Sequence, residues 1–192
     1  MALKDIKAKI KSTERTHKVT RAMEAVSAVK MRKTQGVALA GRFYARAALS
    51  ILARLSGSND VSRHPIANVR DVQKMALVII TSDKGLAGAL NSGVLKAAEQ
   101  ALLRQGYEGL PRENVSIFAY GRKGQEYFTR RNYTIAKAVE NKGDDIVLSH
   151  MEELVRELSD GFARGDFDEV LAVYSNFKST FEQAPPIRTL LP

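Results

Sequence analysis

Two turns carry the residue types that phosphate chemistry uses. Asp83-Lys84-Gly85-Leu86-Ala87-Gly88 follows an apolar run and precedes a helical one, and Gly121-Arg122-Lys123-Gly124 has the same placement. A helix N-terminus reached through glycines offers free amides to an anion, and a neighbouring cation adds attraction. Neither turn meets the specific patterns. The first lacks the third glycine of G-x-G-x-x-G, and no G-x-x-x-x-G-K-[ST] occurs in the chain. Gly85, Gly88, Gly121 and Gly124 therefore read as structural turn residues that let each helix pack closely on its strand. His17, His64 and His150 are too far apart for a helical H-x-x-x-H pair, and with no cysteine no metal site is expected. Asp144-Asp145 and Glu152-Glu153 flank the start of a helical stretch, where negative charge suits the helix dipole without acid–base work. No set of residues nominates an active site or calls for a cofactor. A nucleotide-binding enzyme would rest on the Gly85–Gly88 turn alone.

The elements holding these turns alternate. Ala76 to Thr81 is a continuous β-branched run of the buried parallel type, and Val94, Leu95, Ala98, Ala101 and Leu102 mark a helix after it. Val115 to Tyr120 predicts a second strand, Gln125 to Arg131 a short helix, and Tyr133 to Ala136 a third strand. Val147, Met151, Leu154, Val155, Leu158 and Phe162 give an amphipathic helix closed by Gly165. Glu169 to Tyr174 predicts a fourth strand and Phe177 to Phe181 an edge strand before Pro185-Pro186. Strands alternating with helices specify a three-layer α/β domain, Rossmann-like, with a mostly parallel sheet over 74–192. Residues 58–73, with Ser58-Asn59-Asp60 and His64-Pro65, read as a linker.

The first 57 residues differ in kind. They hold thirteen Lys and Arg against Asp5, Glu14 and Glu24, whereas the other 135 residues are nearly neutral; the net charge of +9 belongs to this arm. Residues 2–55 lack proline and contain only Gly36 and Gly41. Leu3, Ile6, Ile10, Thr13, His17 and Thr20 step by threes and fours, and a second stripe follows with similar spacing through Met23, Val26, Val29, Val37, Ala40, Tyr44, Ala47, Ile51 and Leu55. They predict one long helix with a narrow, coiled-coil-like seam, weakened near Gly36. At 1.5 Å per residue it would be roughly 75–80 Å long, so it should project from a domain of this size and need a partner helix. The basic excess asks for an acidic partner: a protein collar or, alternatively, a nucleic acid gripped by a basic helical arm. No apolar run approaches the roughly 18–20 residues of a membrane span.

The order of these motifs carries a resemblance. Ile10-Lys11-Ser12 and Thr16 to Lys33 (THKVTRAMEAVSAVKMRK) resemble the N-terminal helix of the gamma subunit of F-type ATP synthases. Thr81 to Asn91, Gly121-Arg122-Lys123-Gly124, Val173 to Lys178, Gln183-Ala184-Pro185-Pro186-Ile187 and Leu190-Leu191-Pro192 resemble later landmarks of that family. The resemblance implies a non-catalytic central-stalk rotor whose helix pairs with a second, C-terminal helix inside a ring of alpha and beta subunits. The α/β domain would lie beside epsilon and the c-ring, at the cytoplasmic face of the bacterial plasma membrane. By the same resemblance, Lys18, Arg21, Met23, Lys30, Arg32 and Lys33 face the acidic loop of the beta subunits. No nucleic acid, metal or cofactor is implied. The family's second long helix should follow Pro192, so the sequence corresponds to about two-thirds of the design. His17 stands where the family commonly has Gln, and without Cys the thiol-regulated loop of chloroplast relatives is absent.

Overall fold

A computed structural model describes residues 3–55, 63–104, 107, 109–140, 148–179 and 182–192. The chain divides into two compact units, Met1–Ser56 and Gly57–Pro192.

The first unit is one helix, α1 (Leu3–Leu55), 53 residues long. Its composition is rich in Ala, Lys, Arg and Leu, which lose little freedom in a helix. Asp5 in the first turn and Arg54 in the last complement the dipole. The Thr13, Thr16, Thr20 and Thr34 hydroxyls donate to carbonyls four residues back, at 2.9–3.1 Å, so these polar groups are satisfied within the helix. The helix runs through Gly36 and Gly41 without a break, although each glycine costs about 0.5–1 kcal/mol against alanine. None of its described residues is buried. One 18-residue stretch of α1 reaches a mean hydropathy of 1.2, enough by length and composition to cross a membrane. The sequence reading excluded such a run. Between Lys33 and Arg54 the only charges are Arg42 and Arg46, each of which would cost about 2.5–3.5 kcal/mol at a bilayer centre.

In the second unit a five-stranded sheet has the order β3-β2-β1-β4-β7. Its parallel strands are β1 (Met75–Ile80), β2 (Val115–Tyr120), β3 (Thr134–Val139) and β4 (Glu169–Val173). Met75 lies opposite Val115 on one side and Glu169 on the other. Helices α2 (Leu90–Leu102) and α3 (Arg122–Thr129) belong to one face, where Met75, Leu77 and Ile79 meet Val94, Ala98 and Phe128. Helix α4 (Leu148–Arg164) covers the other, where Ala76, Val78 and Phe118 meet Leu154, Leu158 and Phe162. Because β1 is buried on both faces, its sequence is continuously apolar. The chain grows outward through β2 and β3 and then crosses to β4, so a topological switch point lies between β1 and β4.

Several boundaries differ from the sequence reading. Gly121-Arg122-Lys123-Gly124 is not a separate turn: α3 begins at Arg122, so three of the four residues are its first turn. Strand β3 extends to Val139. The Phe177–Phe181 edge strand shrinks to β5 (Asn176–Phe177), paired with β6 (Gln183–Ala184) in a two-stranded ribbon; residues 180 and 181 lie outside the described set, as do Asp144, Asp145 and Val147. The true edge is β7 (Ile187–Leu191), antiparallel to β4. Pro185-Pro186 precedes it, where absent N–H groups cost no ladder bonds.

Candidate functional site

Of the two strand-end turns that first suggested phosphate binding, the second is closed by its own neighbours, whereas the first leads into α2 with no side-chain cap at Ala89. The leading amides of α3 are all satisfied from within the chain. Arg122 N–H donates to Asp83 Oδ1 (2.9 Å), Lys123 N–H to the Ser82 carbonyl (3.2 Å), Gly124 N–H to Thr81 Oγ1 (2.8 Å) and Gln125 N–H to the Gly121 carbonyl (3.5 Å). An anion would have to displace a carboxylate, a hydroxyl and a carbonyl that are already in place. The glycines permit this closure. Gly121 has φ +105°, and a Cβ there would lie 2.1 Å from the Thr81 carbonyl oxygen; at Gly124 it would lie 3.1 Å from Thr81 Oγ1. Gly85 and Gly88 do something else. A Cβ on either would meet no atom within 4 Å, so close helix packing is not their role; Gly88 supplies φ +56° to the turn.

At the switch point, a cleft of about 430 Å³ is lined by Ala87, Ala89, Leu90, Gly93, Val94, Ser175, Gln183 and Pro185. A doubly wound enzyme would hold its ligand there. Among the described residues no charged side chain lines it, and the β5–β6 ribbon supplies Gln183 to its wall. The turn is fixed rather than open to a ligand: Ser82 N–H donates to Asn91 Oδ1 (3.0 Å), and Asn91 Nδ2 donates to Ser82 Oγ (2.8 Å). Tyr120, at the end of β2, has its hydroxyl pKa raised by burial and by the charge of Asp83. The contacts of Thr81 and Asp83 with Gly124 and Arg122, some forty residues away, were invisible to motif spacing.

Other ionisable groups tie elements together rather than converge on a reaction centre. Tyr127 donates to Glu99 Oε1 (2.7 Å), while Arg131 contacts the same oxygen (3.1 Å) and stacks 3.6 Å from the Tyr127 ring centroid. Tyr107 donates to Glu169, and burial with this bond pushes its phenol far up. Among the described residues no group of three His, Cys, Asp or Glu side chains could hold a metal.

What remains is the surface of α1. Lys18, Arg21, Met23, Lys30, Arg32 and Lys33 are all exposed on it. At about 100° per residue, Lys18, Arg21 and Arg32 share an arc of roughly 60°, Met23 and Lys30 lie about 120–140° from Lys18, and Lys33 falls between. The helix thus brings them to one segment but not to one line. The predicted seam also resolves into two. His17 and Val29 are twelve residues apart, which leaves them about 120° out of phase, so the stripe through Ile6, Ile10, Thr13 and His17 and the stripe through Val26, Val29, Val37 and Tyr44 occupy different faces. Lys4, Lys7, Lys11, Arg15 and Lys18, spaced by threes and fours, form a basic line about a third of a turn from the first stripe, on the side of the helix that the second stripe takes up farther along. That is tighter clustering than a charge spread around the helix. The helix aromatics Phe43 and Tyr44, 76% and 81% exposed, lie more than twenty residues beyond Lys18, so the basic line has no stacking platform within it.

Comparison with known proteins agrees on one family. A family model described as ATP synthase matches residues 2–192. The ATP synthase gamma chain of Pelotomaculum thermopropionicum is 36% identical over 191 residues, 100% of this chain and 65% of that one. The gamma chain of Moorella thermoacetica is 37% identical over 190 residues, 99% of this chain and 65% of that one. The chain therefore spans just under two-thirds of the length of these relatives. Among solved structures, the central stalk and c-ring of Tetrahymena thermophila mitochondrial ATP synthase matches with a TM-score of 0.70 at 24% identity, covering 91% of this chain and 72% of that chain. The rotor of the Euglena gracilis enzyme matches with a TM-score of 0.56 at 16% identity, covering 97% of this chain and 61% of that one. These two likenesses speak for the fold.

Proposed function

The chain belongs to the ATP synthase family whose pattern runs through residues 2–192, and from that premise we propose that it acts as a gamma-type central-stalk subunit, the rotor of a proton-driven ATP synthase. The observation that carries this reading is α1, whose 53 residues bury no described side chain yet bear two apolar stripes and a basic line. An amphipathic helix without a covered face is a component awaiting partners. One stripe suits a second long helix of the same subunit, and the other faces suit a surrounding collar of alpha and beta subunits. A shaft of uniform surface would present the same chemistry at every angle. This one does not: rotation exchanges an apolar face for a basic one, so an acidic loop on the collar would be attracted at some angles and released at others.

In this role the subunit performs no bond chemistry. Nucleotide belongs to the ring, a division supported by the filled amide sites of α3. The α/β domain is the foot that meets epsilon and the c-ring, at the cytoplasmic face of a bacterial plasma membrane. Lys18, Arg21, Met23, Lys30, Arg32 and Lys33 are the residues assigned to the acidic loops of the beta subunits. Because the chain has no native cysteine, Met23→Cys gives a unique attachment point for a short sulfhydryl cross-linker to an acidic-loop cysteine in a relative's beta subunit. A beta–chain adduct that increases when the ring is assembled is expected. Equal labelling in dissociated subunits would remove this assignment.

A further inference from the structure

The segment leading into β1 carries contacts that neither the strand-end turns nor α1 requires. Arg70 donates from Nη2 to the Phe162 carbonyl at 3.0 Å and from Nη1 to the Phe167 carbonyl at 3.3 Å. Its guanidinium lies 4.7 Å from the Phe162 ring centroid, and Nη1 is 3.9 Å from Asp168 Oδ1. Asp168 grips the same segment in return. Its Oδ2 accepts from the Gln73 and Lys74 amides at 3.0 and 2.9 Å, and its own amide donates to the Lys74 carbonyl at 2.8 Å. Asn114 Nδ2 adds a bond to the Gln73 carbonyl at 3.0 Å.

The location explains the choice of arginine. Helix α4 ends with Gly165 at φ +84°, Gly165 N–H donating to the Phe162 carbonyl and Asp166 N–H to the Gly161 carbonyl. A cation is favoured at that negative helix end. A planar fork reaches two carbonyls while stacking on a ring, which a lysine ammonium cannot do. The segment is thereby attached to α4, to the α4–β4 turn and to the residue before β2, so peeling it away requires breaking bonds to three places.

We propose that this Arg70–Asp168 clasp is a mechanical anchor, through which force carried along the chain from α1 is delivered to the sheet at α4 and β4 rather than lost in a loose connection. Its purpose rests on the rotor reading, but the clasp itself is testable on the chain alone. With no native cysteine, Leu52→Cys and Thr129→Cys provide unique handles for an optical trap. In the parent chain the first extension is expected to be the release of the segment before β1, about 40 Å for roughly twelve residues. Arg70→Met should lower the force of that event at least twofold, with circular dichroism unchanged. Arg70→Lys, which keeps the charge, should fall between. Parent-like force in both variants, or a parent chain in which the sheet gives way before this segment, would overturn the proposal. The purpose of the clasp is tested separately: in an assembled complex containing the chain, Arg70→Met should reduce proton pumping more than ATP hydrolysis, and equal effects on the two would overturn its role in carrying force. A chain that never enters the ring would count against the rotor while the trap result still decides the clasp.

Discussion

Gly121 and Gly85 look alike in a sequence, yet the physical demands on them are opposite. At Gly121 a positive φ coincides with a Cβ position 2.1 Å from a backbone oxygen, so nothing flexible can yield. Gly121→Ala is expected to destabilise the α/β domain by more than ~2 kcal/mol. Gly85→Ala meets open space and no left-handed backbone, and should be neutral or stabilising by about 0.4–1 kcal/mol. Urea unfolding of both variants checks the pair, and a Gly121→Ala midpoint equal to the parent's would refute this account of the turn. The sequence could announce that glycines stood at strand ends. It could not say which were needed, because the deciding atoms of Thr81 lie forty residues away in the chain.

At the level of elements, β3 is held to α4 by Lys137, whose Nζ lies 2.9 Å from both Glu153 Oε1 and Glu157 Oε2. The hydrogen bond to Glu153, then that to Glu157, raises the Lys137 pKa, and Lys137 in turn lowers that of Glu153. A carboxyl depressed in the folded state contributes stability above its unfolded pKa and loses it as pH falls through the folded value. The Glu153 carboxyl should therefore titrate below its ordinary 4.5 by NMR, and Lys137→Met should return it there. A Glu153 midpoint unchanged by that substitution would contradict the pairing. Helix α1 makes a different prediction, since it lacks buried contacts to stabilise it. In the chain alone, its amides should exchange much faster than those of β1, and uniform protection across residues 3–55 would be the contrary result. The central strands were legible because two-sided burial leaves continuous apolar runs. Strand β7 was not, since only Ile187 and Leu191 are partly covered and its pairing with β4 is nonlocal. That α1 carries two stripes was legible, but that they lie on different faces was not, because steps of three and four each look regular while their sum drifts around the helix.

For the molecule as a whole, the division of charge is the most informative feature of the sequence. A nearly neutral α/β domain joined to an arm with thirteen basic and three acidic side chains implies two different environments. That division, with the motif order, made the family legible. The α/β fold alone could not have done so, because doubly wound domains serve many functions and this one has the leading amides of α3 filled and, among the described residues, no charged side chain lining its switch-point cleft. The most direct test of the central-stalk reading is electron microscopy of alpha and beta subunits from a relative, assembled with this chain. A central stalk predicts a rod of density on the ring axis, about 80 Å long for 53 helical residues, together with a foot outside the ring. Intact rings with an empty axis in the presence of excess folded chain would contradict it.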